Sequence, residues 1–307
     1  MSEPIRRVLI AGGTGLVGRA LAKALIQDGK EVIILTRNTD QGFSSSEVRP
    51  IHWDGKTTQG WSGIIHDVDA VVQLAGANLG SSPWTNERRK LILDSRVLSG
   101  QAIAAAVKSS ASRPRVLIQA SAVGYYGPAP DAVFRESDPP GAGWLSKVCV
   151  AWEDSTCEVE DLGVRRAVIR TGLVLDRRSG ILPIMALPVR LWAGGKVGSG
   201  RQWVSWIHIE DEIAAIQSLL RDEGASGAFN LTAPAPVRNA EFERLLAGAL
   251  HRPFWFPTPA FLIRMLIGKM SELVLEGQNV VPERLSQIGF EFRYRDLGAA
   301  LKAIYSG

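Results

Sequence analysis

Three glycines, Gly12, Gly15 and Gly18, recur at every third position in the run Val8-Leu9-Ile10-Ala11-Gly12-Gly13-Thr14-Gly15-Leu16-Val17-Gly18. The apolar residues before them read as a strand and the residues after them as the start of a helix. In that context Gly12 permits a tight turn, Gly15 lets the backbone approach a pyrophosphate, and Gly18 lets helix and strand pack closely. The free N–H groups at the helix start, aided by the helix dipole, then hold phosphate oxygens. The whole stretch, with Gly13, Thr14, Leu16 and Val17 between the three glycines, is therefore read as a dinucleotide cradle. The second strand ends Leu35-Thr36-Arg37-Asn38, and no acid follows until Asp40. An acid there would accept hydrogen bonds from a ribose 2′-hydroxyl, whereas the paired donors of Arg37 suit a 2′-phosphate. The expected cofactor is NADP(H).

Such a cradle needs a sheet behind it. Short β-branched runs at Val8–Ala11, Glu31–Leu35, Val68–Leu74, Val116–Ala120 and Ala167–Ile169 read as buried strands. Helical stretches at roughly 15–28, 86–109 and 143–162 separate them. Strand–helix alternation with right-handed crossovers predicts an α/β fold, a Rossmann-like doubly wound parallel sheet. Residues 1–171 form this domain in our reading, partly completed by later segments. Residues 172–307 form a smaller mixed lobe ending in a helical domain at about 252–303. Within it, 176–206 reads as a glycine-rich loop, 210–222 as a helix and Phe229–Leu231 as a strand.

Composition narrows the partners. The 307 residues are 46% hydrophobic and 21% charged, with a formal net charge of +4, which excludes wholesale disorder. The basic runs (Arg88-Arg89-Lys90, Arg165-Arg166, Arg177-Arg178) are scattered, so no nucleic acid is expected. Cys149 and Cys157 fall in one predicted helix about 12 Å apart, beyond disulfide reach, and Cys149 reads as a buried helix residue. Four scattered histidines make no metal centre, and His208 reads as a core histidine beside Asp211, a helix N-terminal acid. The stretch Phe261–Met270 is broken by Arg264 and Lys269 and is shorter than the ~20 residues a bilayer needs. No signal segment is evident. A cytoplasmic protein with no membrane partner is the expectation.

Further blocks carry a resemblance. They are the turn Leu74-Ala75-Gly76-Ala77-Asn78, Trp84 with Ser95-Arg96, and Ser121-Ala122-Val123-Gly124-Tyr125-Tyr126-Gly127. Later come Arg170-Thr171-Gly172-Leu173-Val174-Leu175, Gly198-Ser199-Gly200-Arg201-Gln202-Trp203, Trp206-Ile207-His208-Ile209-Glu210-Asp211, and a tail with Pro282 and Gly289-Phe290. With the glycine loop they resemble an extended short-chain dehydrogenase/reductase. The narrower likeness is to the epimerase-like branch of the NAD-dependent epimerase/dehydratase family, whose tail is a small domain of unknown function. Some members of that branch carry a cell-division-inhibitor label.

The resemblance implies that Thr36 and Arg37 hold the 2′-phosphate, that Leu74, Ala75 and Gly76 line the adenosine ribose, and that Arg96 contacts the cofactor. It also implies a catalytic Ser, Tyr and Lys in the pattern Tyr-x-x-x-Lys. Ser121 stands in the Ser position, but Trp144 and Val148 occupy those of Tyr and Lys. Lys147 falls one residue early, about 100° around the helix. Tyr125 or Tyr126 could supply the proton instead, Ser121 and Lys147 could serve another proton transfer, or turnover could be lost. Arg201, Gln202 and Trp203 match a stretch that meets substrate in such proteins. Asn78, Trp84 and Trp144 are assigned to the same cleft, because ligands sit outside the carboxyl ends of parallel strands. The resemblance further implies a homodimer. Two functions follow: an NADP(H)-dependent oxidoreductase or epimerase acting on a hydroxyl- or carbonyl-bearing small molecule, conceivably a nucleotide-sugar, or an NADP(H)-binding regulator linked to cell or organelle division.

Overall fold

β-Branched runs too apolar to face water on either side can only be interior strands, and seven strands form one parallel sheet. In chain order they begin with β1 (Arg7–Ala11), β2 (Glu31–Thr36), β3 (Val48–His52), β4 (Ala70–Gln73) and β5 (Val116–Ala122). The strands Arg165–Thr171 and Gly227–Leu231 complete it. Across the sheet the order is Gly227–Leu231, Arg165–Thr171, β5, β4, β1, β2, β3. The connections reverse direction beside β1, so the crevice between the ends of β1 and β4 is the place a ligand enters. This computed structural model describes residues 4–39 and 48–306; Asp40 lies outside them.

Both faces of the sheet are covered. On one, Ile10, Val72, Ile118, Ile169 and Phe229 meet Leu21 and Leu25 of α1 (Leu16–Gln27) and Ile213 and Ile216 of the helix Ile209–Arg221. On the other, Leu9, Leu35, Val71 and Leu117 meet Ile103 and Val107 of α2 (Asn86–Ser109). Next in the chain is α3 (Trp144–Asp154). A third core, with Leu182, Trp206, Phe242, Leu246 and Leu301, belongs to the smaller lobe. The lobes interleave: residues 209–231 return to the sheet, and Asn279–Val280 pairs with Val133–Phe134.

The structure departs from the sequence reading in four places. The edge strand β3, Val48-Arg49-Pro50-Ile51-His52, was not foreseen; its proline is tolerated because no strand among the described residues pairs beyond it. The helix expected over 143–162 stops at Asp154, so Cys157 lies outside it and is exposed, while Cys149 is buried within it. The stretch expected as loop contains a helix, Leu182–Arg190, which carries one proline in its first turn and Pro188 inside. In so short a helix the interior proline removes few bonds. Finally, Asp211 does not cap its helix. The preceding His208 does so, its Nδ1 accepting from the Glu210 N–H at 3.2 Å.

Asp211 instead holds the C-terminal tail. Its two carboxylate oxygens accept the backbone N–H groups of Arg293 and Tyr294 at 2.8 and 2.9 Å, and the side chain is buried. Charge-assisted bonds of this kind are the stronger sort. Asp211→Ala should lower unfolding free energy by about 2–4 kcal/mol, read as a reduced urea midpoint. A change under about 0.5 kcal/mol would show that the tail is held elsewhere.

Candidate cofactor and active site

The glycine loop lies at the crevice, and each glycine there meets different surroundings. Gly12 has φ of +82°, and a Cβ on it would lie 2.9 Å from the backbone of Leu74 and Ala75. A Cβ on Gly18 would lie 2.5 Å from the Gly12 carbonyl oxygen, and one on Gly13 would strike Ile34 at 2.6 Å. Gly15 differs, since its Cβ would meet only the Gly12 oxygen, at 3.4 Å. The protein's own packing therefore explains Gly12, Gly13 and Gly18, and leaves open space above Gly15. Among the described residues no side chain caps α1, and no acid sits in its first turn, so the N–H groups around Leu16 and Val17 meet no competing anion there. Arg19 Nε donates to the Thr14 carbonyl at 2.8 Å and braces the loop. A diphosphate fits this cradle.

At the end of β2, Thr36 is buried. Its hydroxyl accepts the Asn38 N–H at 3.2 Å and donates to the Asn38 carbonyl at 3.1 Å. This tight turn displays Arg37, which is exposed and has no ion pair among the described residues. Thr36 shapes the turn and Arg37 presents the charge.

The turn after β4 is fixed from below. The Leu74 N–H extends the ladder to Ala11, the Ala75 N–H reaches Gln73 Oε1 at 3.2 Å, and the Ala77 N–H reaches Ser95 Oγ at 2.9 Å. Beneath Gly76 lies Arg96. Its Nη1 donates to the carbonyls of Ala77 and Ile92, both at 3.1 Å, and its guanidinium rests over the Trp152 ring. It has no carboxylate partner among the described residues, and burial pulls its pKa down to about 10. Arg96 thus braces the turn and leaves a net positive charge under it.

At the end of β5 the structure separates the sequence candidates. Ser121 is buried, and its hydroxyl donates to Glu153 Oε1 at 2.6 Å. Glu153 grips Arg170 in a fork, Nε to Oε1 at 2.9 Å and Nη2 to Oε2 at 3.0 Å. Burial works against the Arg170 charge, but the Glu153 carboxylate outweighs it and holds its pKa above the ordinary value. Arg170 Nη1 donates to the Tyr126 hydroxyl at 3.0 Å, which in turn donates to Asn230 Oδ1 at 2.7 Å. Tyr126 is buried and fully engaged, and burial pushes its pKa up to about 12. Tyr125 is only half-buried; its hydroxyl has no partner among the described residues, and the Arg170 guanidinium lies 3.4 Å from its ring centre. Lys147 is exposed, and no hydrogen bond joins it to Ser121 or Tyr125.

Trp144 stacks edge-on to Trp84 with centroids 4.8 Å apart, and Arg89 lies over its outer face at 4.3 Å. Val148 is buried with Trp84 and Ile92. Asn78 spends its side chain on the Gly80 N–H at 2.7 Å. Gln202 donates to the carbonyls of Val197 and Val274, both at 3.0 Å, and so ties the glycine-rich loop to the C-terminal helices. Trp203 donates to the Pro130 carbonyl at 3.0 Å while Arg238 covers its ring, and the Arg201 side chain is exposed. Sequence reasoning missed Glu153 and Arg238 and gave Arg170 no role. Arg170 had a signal, its place in the Arg170–Leu175 block; Glu153 had none. Cys149 is buried, with its thiol pushed up to about 11 by burial.

Comparison with known proteins agrees with this geometry. Residues 8–232 match the NAD dependent epimerase/dehydratase family and residues 258–304 a domain of unknown function. An epimerase family protein of Staphylococcus aureus is 38% identical over 304 residues, covering 98% of this chain and all of its own. One from Staphylococcus saprophyticus is 39% identical over 299 residues, covering 97% and 99%. The crystal structure of a human epimerase family protein with NADPH is 32% identical, with a TM-score of 0.88 over 98% of this chain and 99% of that one. The UDP-glucose 4-epimerase of Thermus thermophilus with NAD has a TM-score of 0.78 at 18% identity, over 98% and 99%, a likeness of fold.

One buried acid has a pH consequence. Glu212 is fully enclosed next to the end of the Arg165–Thr171 strand; Oε1 accepts the Thr171 hydroxyl at 2.8 Å and Oε2 has no partner among the described residues. Burial pushes its pKa from 4.5 up to about 8. The folded protein therefore keeps a proton that unfolding releases, so its contribution to stability is present at acid pH and is lost as pH rises from about 4.5 to 8. Glu243, raised to about 7 by burial, acts in the same direction. Glu212→Gln should flatten this decline, gaining on the order of a few kcal/mol over the native chain between pH 5.5 and 8.5 in urea titrations. Parallel pH profiles would contradict it.

Proposed function

The chain belongs to the NAD dependent epimerase/dehydratase family, and from that premise we propose that it is an NADP(H)-dependent oxidoreductase or epimerase acting on a hydroxyl- or carbonyl-bearing small molecule. The observation that carries the cofactor choice is Arg37, an exposed cation without an ion pair among the described residues, displayed by the Thr36–Asn38 turn at the end of β2. The human relative crystallised with NADPH supports the same choice. When bound, the nicotinamide supplies or accepts hydride.

The chain's own part is to hold the cofactor and move one proton. The N–H groups of Leu16 and Val17 hold the diphosphate and Arg37 the 2′-phosphate. The Tyr125 hydroxyl gives a proton to a substrate carbonyl oxygen, or takes one from a hydroxyl in the reverse direction. Arg170, locked by Glu153, stabilises negative charge that builds on the phenol oxygen during transfer, the task a lysine one turn along a helix performs in relatives with Tyr-x-x-x-Lys. Ser121 keeps Glu153 in place. A second reading, an NADP(H)-binding regulator without turnover, is favoured by Trp144, which fills the usual acid/base position with a packed indole.

Two experiments test this. Arg37→Ala should weaken NADPH binding roughly 10–100-fold in a fluorescence titration and leave NADH binding unchanged. An unaltered ranking of the two nucleotides would remove the assignment. Tyr125→Phe should keep NADPH affinity while lowering turnover about 10²–10⁴-fold, followed by nicotinamide absorbance against a panel of nucleotide-sugars and small carbonyl compounds. NADPH binding with no turnover of any panel member by the native chain would favour the regulator.

A further inference from the structure

Two stretches that are far apart in sequence build one unusual face. The residues after the helix Leu182–Arg190, from Trp192 to Lys196, run alongside residues 255–258. Trp255 Nε1 donates to the Trp192 carbonyl at 2.8 Å, and the N–H groups of Trp255 and Phe256 both reach the Gly194 carbonyl at 2.9 Å. From there the chain enters the helix Ala260–Ile267, which has no buried residue although seven of its eight residues are apolar. Leu191, Trp192, Trp255, Phe261, Met265 and Leu266 are each more than half exposed. Trp192 is held in the left-handed region, φ 65°, with the Arg252 guanidinium 4.7 Å above its ring. A helix apolar on all sides is normally buried, and scattered single apolar residues are normal where a contiguous patch is not. Here the hydrogen bonds just named join Trp192 to Trp255, and from Trp255 the chain runs on into the apolar helix, which starts at Ala260.

Its charge identifies what covers it. Residues 182–196 and 252–270 contain Arg190, Lys196, Arg252, Arg264 and Lys269 and no Asp or Glu; the nearest carboxylates along the chain are Glu272 and Glu276, and Glu276 lies within electrostatic reach of Arg264, so the face keeps an excess of cations. A second copy docking through the same face would set these cations against each other. A bilayer with anionic headgroups removes that conflict. Aromatic rings sit at the level of the headgroups, aliphatic side chains reach the acyl boundary, and long cationic side chains extend to the phosphates.

We propose that this face rests on an anionic membrane surface, with Trp192, Trp255, Phe261 and Met265 entering between the headgroups and Arg190, Arg252, Arg264 and Lys269 meeting lipid phosphates. No helix of the described residues is long and apolar enough to cross a membrane, so the contact is peripheral. The sequence reading expected no membrane partner because it looked for a continuous span. A face assembled from two separate stretches escapes that test. The proposal does not depend on the enzymatic reading above.

Flotation of the full-length protein with vesicles tests it. Vesicles that are roughly one-third phosphatidylserine in phosphatidylcholine should carry at least about tenfold more protein than pure phosphatidylcholine, with less bound as salt rises. Two surface variants, Arg264→Glu/Lys269→Glu and Trp255→Ser/Phe261→Ser, should each cut this binding about tenfold while keeping the native circular dichroism. No excess on anionic vesicles would overturn the proposal. So would a dimer in light scattering that the same variants dissociate, which would assign the face to a second copy.

Discussion

The site depends on one buried ion pair. Glu153 comes from α3, Arg170 from the Arg165–Thr171 strand, and their forked contact is sealed away from water. A buried charge is costly unless its partner and its remaining hydrogen-bonding groups are all satisfied, and breaking such a pair leaves an uncompensated charge worth about 3–5 kcal/mol. Here the surroundings supply what remains. Ser121 occupies Glu153 from β5, Tyr126 and the Glu136 carbonyl occupy Arg170, and Asn230 from the Gly227–Leu231 strand closes the chain. Helix, three strand ends and the inter-lobe segment are fixed to one another by this network. It also holds the Arg170 guanidinium 3.4 Å from the Tyr125 ring centre.

The cofactor cradle follows a different logic, in which steric room matters more than charge. Three of its glycines are required because backbone or side chain stands where a Cβ would be, and only Gly15 is left open. The crossover at β1 delivers Leu74 and Ala75 against Gly12, so the loop after β1 and the turn after β4 form one wall. Arg96 beneath that turn has carbonyls and an indole for company but no acid. A protein that buries a guanidinium without a carboxylate maintains a positive field there, and a dinucleotide diphosphate is the kind of anion that field favours.

Much of this was legible in the residues. Interior strands announce themselves as unbroken apolar runs, so β1, β2, β4 and β5 and their parallel direction could be read, and the glycine spacing located the cradle. The edge strand β3 could not, because an edge tolerates Pro50 and polar side chains that look like a loop. The helix Leu182–Arg190 was hidden by its two prolines. Asp211 resembled a cap because local sequence shows spacing and not the distant backbone that claims its oxygens, residues 293–294 of the tail. Ser121 was visible as a residue in the right motif, but its hydroxyl faces Glu153, 32 positions away. Long-range polar networks leave almost no periodic trace, so Glu153 and Arg238 gave no signal.

The replacement of Tyr-x-x-x-Lys by Trp144 and Val148 can be understood through what each residue now touches. Val148 has become core, packed with Ile92 and Trp84, and Trp144 is closed between Trp84 and Arg89. The turn of α3 where the Tyr-x-x-x-Lys pattern would fall is packing in this chain. Lys147 points to water and does not restore it. Within the same site, the Val123–Tyr126 turn offers one tyrosine whose hydroxyl has no partner among the described residues and whose ring has a cation over it, and a neighbouring tyrosine that is locked. Of the two phenols, only Tyr125 can exchange a proton without breaking a buried hydrogen bond. In the proposed reading the proton donor is Tyr125 at the strand end, and an arginine held by a carboxylate takes the stabilising part that the Tyr-x-x-x-Lys pattern gives to a lysine.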